Sequence, residues 1–242
     1  MRQDFAQVVK AADRARYYSV LFAPNKVRDA LLTLYAFDVE IRRIPFLVSE
    51  PALGAIRMQW WIDGLTGERR EEMRSHPIGE ALLDLERQIH LPLAPLITLV
   101  EERSNLLLNN QDNTLLDEGA LESSFGKTHA MLLYLAAFIL NEGVDPLTSD
   151  LSGHAGMVLG LMEALRNQTL PINADDLVAL AFEHLAKART HIKTIKPDLT
   201  SAYLPLVEAQ PFLQRARRKS GNTMQREISN LYLLTRMVMG LV

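Results

Sequence analysis

Cysteine is absent from the 242-residue chain, which excludes disulfides and thiolate metal sites and fits a reducing compartment without requiring one. No charge of one sign dominates: 26 lysines and arginines stand against 29 aspartates and glutamates, a net charge of −3. Without a strong basic field nothing is offered to a phosphate backbone, so no nucleic-acid partner is expected. Apolar runs are short. The longest, such as Met131–Leu140, stop well below the roughly 20 residues needed to span a bilayer, and a soluble or peripheral protein is expected. Strand signals are nearly absent, no Ser/Gly/Pro-rich stretch reads as a flexible linker, and no period of roughly 30–45 residues signals a solenoid. Met1-Arg2-Gln3-Asp4 carries no apolar signal region, so a signal or transit peptide is expected to be absent or already removed. There is no HExxH, no glycine-rich phosphate loop and no inferable Ser/His/Asp arrangement.

What is present is apolar residue at 48%, enough to bury a sizeable core and most simply one domain over residues 1–242. Prolines recur where helices would begin, at Pro24, Pro51, Pro77, Pro92, Pro146 and Pro211, positions that tolerate a missing N–H. The apolar spacing predicts helices near 2–22, 24–47, 51–65, 77–90, 92–109, 117–141, 147–167, 174–195, 198–209 and 211–240. The polar stretches 67–75 and 109–114 read as loops. The class is all-α.

The chain is organised around Pro24–Glu50. Val27, Leu31, Leu34, Ala36 and Phe37 keep an apolar stripe near the 3.6 period, and Asp38, Glu40, Arg42 and Arg43 follow within little more than a turn. Asp38–Arg42 is an i,i+4 pair and Glu40–Arg43 an i,i+3 pair, so they can neutralise each other; Pro45 kinks or ends the helix behind them. Trp60 and Trp61 are adjacent and point about 100° apart on a helix, so at most one faces a given cavity. Small residues interleave with bulky ones over 125–140, and Gly153, Gly156 and Gly160 punctuate the next helix, suited either to close packing or to room for a ligand. The six histidines have no metal-binding spacing, and His184 with His191, among Lys187, Arg189 and Lys193, reads as a solvated basic face. The last stretch, Arg226–Val242, ends apolar; it either completes the core or forms an exposed patch for a partner or membrane surface.

Pro24-x-x-x-Arg28 followed by Tyr35-Ala36-Phe37 resembles the squalene/phytoene synthase family. In that family the helix ends in an aspartate-rich motif that holds magnesium against a prenyl diphosphate. Aligning on Tyr35-Ala36-Phe37 puts Arg42, Arg43 and Phe46 where the aspartates belong. The family's second motif, of the form QxxNxxRDxxxD, falls on Gly160, Glu163, Arg166, Asn167 and Pro171, and only the arginine survives. The resemblance spans roughly residues 10–210 as an order of elements, is specific over 13–65 and extends loosely over 125–171. It implies a terpenoid-synthase-like bundle of helices around a central cavity, lined by apolar side chains from helices near 31–47, 125–140 and 153–165.

The same resemblance implies Arg28, Tyr35, Arg42, Arg43, Glu163 and Arg166 as ligand-binding residues, with no catalytic residue and no metal. Arg28 and Arg166 would face each other across the cavity mouth, and guanidinium forks suit phosphate oxygens. Equally, the arginines can neutralise Asp38, Glu40 and Glu163 across a helix interface, because buried charges must be paired. The degenerate motifs, with AFDVEI and SEPALGAIRMQWW, resemble most the subgroup containing the mitochondrial complex I assembly factor and its bacterial relatives. That implies a non-catalytic accessory or assembly protein, with respiratory-complex subunits as partners, an isoprenoid or lipid as ligand, no cofactor, and a cytoplasmic location peripheral to the inner membrane. Two alternatives stay open: a prenyltransferase condensing two prenyl diphosphates with Mg²⁺, and a lipid-binding module that keeps the cavity without the reaction.

Overall fold

The computed structural model describes residues 4–108, 117–167, 170, 172–218 and 230–238. Among these residues every regular element is a helix, with no strand. The N-terminal stretch is two helices rather than the single one expected: α1, Phe5–Ala12, and α2, Arg14–Leu21. Asp13 separates them in extended backbone (φ −148°), and its carboxylate accepts from the Arg16 N–H at 3.0 Å, the N-cap contact that starts a new helix.

The central helix α3, Asn25–Arg43, begins one residue later than Pro24 and ends in a 3₁₀ turn, Ile44–Phe46, built on Pro45. Pro51 opens α4, Pro51–Thr66, which closes on Gly67 in the left-handed region (φ 105°), where glycine carries no Cβ penalty. The stretch 67–75 is not a loop throughout: Arg70–Arg74 forms the short helix α5. Pro77 starts α6, Pro77–Ile89, and α7 is Ala94–Leu108. The stretch 109–114 lies outside the described residues. Asp117 caps α8, Glu118–Phe125, at 2.7 Å to the Ala120 N–H.

A π-helical turn, Gly126–Ala130, joins α8 to α9, Met131–Leu140, so the helix expected over 117–141 carries a bulge at its middle. Next come α10, Ser149–Asn167, and α11, Ala174–His191, the latter capped by Asn173. The segment Pro197–Glu208 is 3₁₀ in character. It leads into α12, Ala209–Arg218, and the last described element is α13, Asn230–Val238.

The core centres on α3, α9 and α10. Along α9 every residue except Met131, Tyr134 and Phe138 is buried. Two of the three α10 glycines are there for packing. A Cβ at Gly156 would lie 2.5 Å from the Ala130 backbone nitrogen, and one at Gly160 would lie 2.4 Å from the Phe125 ring, whereas one at Gly153 would meet nothing. The close approach locks the π turn against α10. Trp61 is buried against Phe37 while Trp60 is half-buried. At the described part of the C-terminal end, Leu233 and Met237 pack on Tyr18, Leu204 and Val207, so these residues complete the core; 226–229 and 239–242 lie outside the described residues. Among the described residues no helix is long and apolar enough to cross a membrane.

Candidate functional site

Between α3, α4, α7, the π turn and α10 lies a cavity of about 220 Å³. Three of its walls are the helices expected from the sequence; α4 and α7 supply the rest. Ile41, Met58, Leu106, Leu107 and Phe125 make its apolar side, and Arg42, Arg103, His129 and Glu163 make a polar one. The expectation of an apolar lining is therefore corrected: one side is charged. The π turn aims Thr128 and His129 inward, the kind of local re-aiming for which such bulges occur at functional sites.

The polar side belongs to a buried ion network. At its centre is Asp38, 1% exposed. Arg16 Nη1 donates to Asp38 Oδ2 at 2.6 Å and Arg103 Nη2 donates to Oδ1 at 3.4 Å. Arg42 Nε sits 3.0 Å from Oδ2, one turn along the same helix, close but off the line of a hydrogen bond. Glu163 is the second anion, 3.6 Å from Arg42 Nη1, 4.0 Å from Arg103 Nη1 and 3.5 Å from His129 Nε2. Asp13 is the third, 3.6 Å from Arg16 and 3.8 Å from Arg42. Three carboxylates thus face three guanidiniums.

Burial alone would raise the Asp38 carboxyl, but Arg42, Arg16 and Arg103 outweigh it and hold it well below the usual carboxylate range. Burial also opposes ionisation of Glu163, and His129, Arg103 and Arg42 reverse that effect. His129 is driven down to about 4, chiefly by burial, with Glu163 opposing and Arg103 and Arg16 adding to the fall. At neutral pH the imidazole is uncharged and the network balances. Such a cluster is costly to desolvate, and removal of one member leaves an uncompensated buried charge.

The residues anticipated as ligand contacts are only partly gathered here. Arg42 and Glu163 line the cavity. Arg166 lies beside it on a small cleft shared with both, with its guanidinium donating to Glu208 at 2.8 Å and stacked 4.8 Å from the centre of the Phe212 ring. Arg43 is half-exposed and paired with Glu40 at 3.5 Å. Tyr35 is buried beneath Arg16, whose guanidinium lies 5.5 Å from the ring centre; burial pushes its hydroxyl up to about 12. Arg28 is elsewhere. Its Nε donates to the Ala23 carbonyl at 2.9 Å and its Nη2 to the Leu21 carbonyl at 2.6 Å, where it closes the end of α2. The expected facing of Arg28 and Arg166 across the mouth is replaced by these separate bonds.

Arg16, Asp13, Arg103 and His129 were missed as site residues. Asp13 and Arg16 carried a local signal, the i,i+3 spacing of a capped helix start; Arg103 and His129 carried none.

The residues present do not fit magnesium. The ion needs oxygen ligands and normally one or two carboxylates beside substrate phosphates. Among the described residues that line the cavity the one carboxylate is Glu163, which already faces two guanidiniums and an imidazole. At the former motif positions Arg42 is cationic, Arg43 is paired outside, Phe46 is 85% exposed and Asn167 is exposed at the rim. Pro171 lies outside the described residues.

A helical bundle with a cavity at the ends of two helices that bring charged side chains together is the architecture of an isoprenoid-type synthase. The chain belongs to the squalene/phytoene synthase family, whose sequence profile matches residues 9–169. Its relatives include NADH dehydrogenase (ubiquinone) complex I, assembly factor 6, of Homo sapiens, 25% identical over 246 residues that cover 88% of this chain and 72% of the human protein. The Bos taurus protein of the same name is 28% identical over 161 residues, covering 66% of this chain and 47% of its own. The Mus musculus protein is 23% identical over 246 residues, covering 88% and 72%.

Proposed function

We propose that this protein is a non-catalytic member of the family that acts as an accessory or assembly factor for the respiratory NADH dehydrogenase. The observation that carries the reading is the ion network. Arg42 stands at a metal-ligand position and neutralises Asp38 and Glu163, the acids nearest the cavity. The assembly role rests on the similarity to the relatives that bear that name. It is supported by an apolar surface beside the cavity rim. Phe46 (85% exposed) and Leu47 precede α4, and Leu53 and Ile56 (65% exposed) lie three residues apart on its outer side, with Arg43 and Arg57 exposed among them. Contiguous exposed apolar side chains rimmed by polar ones are typical of protein-interaction surfaces.

The test is loss and rescue in the native cell. Removing the protein should lower the amount of assembled NADH dehydrogenase on native gels, and the wild-type chain should restore it. Phe46→Asp with Ile56→Asp should keep the thermal midpoint yet fail to restore it. An unchanged amount of assembled enzyme after removal would overturn the reading. So would diphosphate release from farnesyl or geranylgeranyl diphosphate with Mg²⁺ at roughly 1 per second or faster, an ordinary enzymatic rate.

Isoprenoid or lipid binding is the finer part of the proposal. The cavity, at about 220 Å³, is below the ~300–1,000 Å³ of common ligand pockets, so a chain end rather than a whole prenyl chain is the expected occupant. Native mass spectrometry of the purified protein would detect it, and Leu107→Trp, which fills the cavity, should abolish it.

A further inference from the structure

Away from the ion network, α8 and α11 bring a second set of chemically competent side chains together. Glu118 and Glu122 are one turn apart on α8, and His184 reaches them from α11. One carboxylate oxygen from each glutamate and one imidazole nitrogen all lie within 4.8 Å of one another. The two carboxylates are exposed, which alone would mean little. The imidazole is what distinguishes the place.

His184 is 2% exposed, and its Nε2 has no hydrogen-bond partner among the described residues. That nitrogen lies 3.9 Å from Glu118 Oε1, too far for a hydrogen bond. The other nitrogen, Nδ1, is 3.1 Å from Nδ1 of His154 on α10. One of these two must donate and the other accept. If His184 donates through Nδ1, its Nε2 presents a bare lone pair towards two carboxylates. If it accepts, an Nε2–H points at them without reaching. Both arrangements leave a buried polar atom unsatisfied, which is uncommon and costly. A competing cation, Lys187, feels both glutamates but its Nζ donates to Glu183 at 2.6 Å.

We infer that Glu118, Glu122 and His184 bind a divalent transition-metal ion, with His154 accepting from the ligating imidazole. A metal bound to N and O ligands at about 2.0–2.2 Å places neighbouring ligand atoms roughly 3.4 Å apart in tetrahedral geometry. The His184–Glu118 separation of 3.9 Å is half an ångström from that, within reach of an exposed glutamate changing rotamer. A histidine nitrogen beside two carboxylates selects Zn²⁺, Mn²⁺ or Fe²⁺ over Mg²⁺ and Ca²⁺, which favour all-oxygen sets. The hydrogen bond between His154 and His184 is the outer contact that fixes tautomer and ring orientation in such sites. The ion would clasp α8 to α11, and through α8 it would brace the π turn that carries His129.

The site is independent of the assembly role and of the cavity. Its test uses the full-length chain, free of any affinity tag and treated with EDTA, titrated with Zn²⁺ by calorimetry and with Co²⁺ by visible absorption. Binding of one ion per chain is expected, with a rise in thermal midpoint and no such rise with Mg²⁺. Glu118→Gln and Glu122→Gln alter exposed side chains and should fold normally; each should weaken Zn²⁺ binding by an order of magnitude or more, and His154→Ala should weaken it roughly 10-fold. No saturable binding at about 1 mM Zn²⁺, or glutamine variants that bind as tightly as the parent, would overturn the proposal.

Discussion

At the scale of single residues, this protein turns charges inward on one another. Asp38 has three guanidiniums around it, so Asp38→Asn would leave two carboxylates, Asp13 and Glu163, against three arginines and one buried positive charge uncompensated. The expected cost is about 3–5 kcal/mol, visible as a fall in thermal midpoint of roughly 10 °C for a chain of this size. Arg28 is structural by the same measure. Arg28→Ala should lower stability by about 1–2 kcal/mol through loss of two hydrogen bonds to carbonyls, and lipid or prenyl diphosphate retention should be unchanged; altered retention would show that the guanidinium also meets a ligand. The pairs within α3, Arg42 with Asp38 and Arg43 with Glu40, were legible because helical spacing brings them together. Arg16 and Arg103 were not, because they reach Asp38 from 22 and 65 residues away. No periodicity encodes such a meeting.

At the scale of elements, the α10 glycines make a clean contrast. Gly160→Ala would push a methyl into the Phe125 ring and Gly156→Ala one into the Ala130 backbone, overpacking that costs about 1–3 kcal/mol. Gly153→Ala meets open space and should stabilise by about 0.5–1 kcal/mol through helix propensity. Chemical denaturation of the three variants gives these differences directly; equal effects at all three positions would mean that propensity, not packing, governs the helix. The sequence left packing and ligand space undecided here, because three glycines on one stripe look alike until the neighbouring helix is in place. In the same way α5 escaped notice because its five residues, REEMR, carry no apolar period. The split at Asp13 had one local sign, the spacing of a capping aspartate three residues before Arg16.

At the scale of the whole molecule, the buried neutral imidazole ties stability to pH. His129 titrates near 4 in the folded chain and near 6.5 in the unfolded one. Between those values the unfolded state takes up a proton that the folded state does not, so stability falls as pH drops through that window. The effect is on the order of 3 kcal/mol. Partly exposed His76 and His154, also lowered chiefly by burial, act in the same direction. The Asp38 contribution is fully present above about pH 4 and is lost only below it, because its folded carboxyl is depressed. Urea midpoints of wild type and His129→Gln between pH 7 and 4.5 separate the two: the variant should show a much flatter profile, and parallel profiles would place the titration elsewhere.

The sequence by itself determined the all-α class, the order of the main helices and the family. These follow from local facts: apolar residues at the 3.6 period, prolines and capping side chains at helix starts, and a short motif, Tyr35-Ala36-Phe37, on one helix. It also determined that the aspartate motifs were gone, since that is a matter of residue type at a position. What replaced them was decided only by the tertiary structure. The neutral cluster of Asp13, Asp38 and Glu163 with three arginines, the inward turn of His129, and the burial of His184 beside Glu118 and Glu122 each require side chains from separate helices to meet. His184 looked like part of a solvated basic face because its neighbours in sequence are cationic; packing of α11 on α10 puts it inside. Helical spacing fixes which residues share a face, but which face is buried, and against what, depends on the packing of the whole bundle.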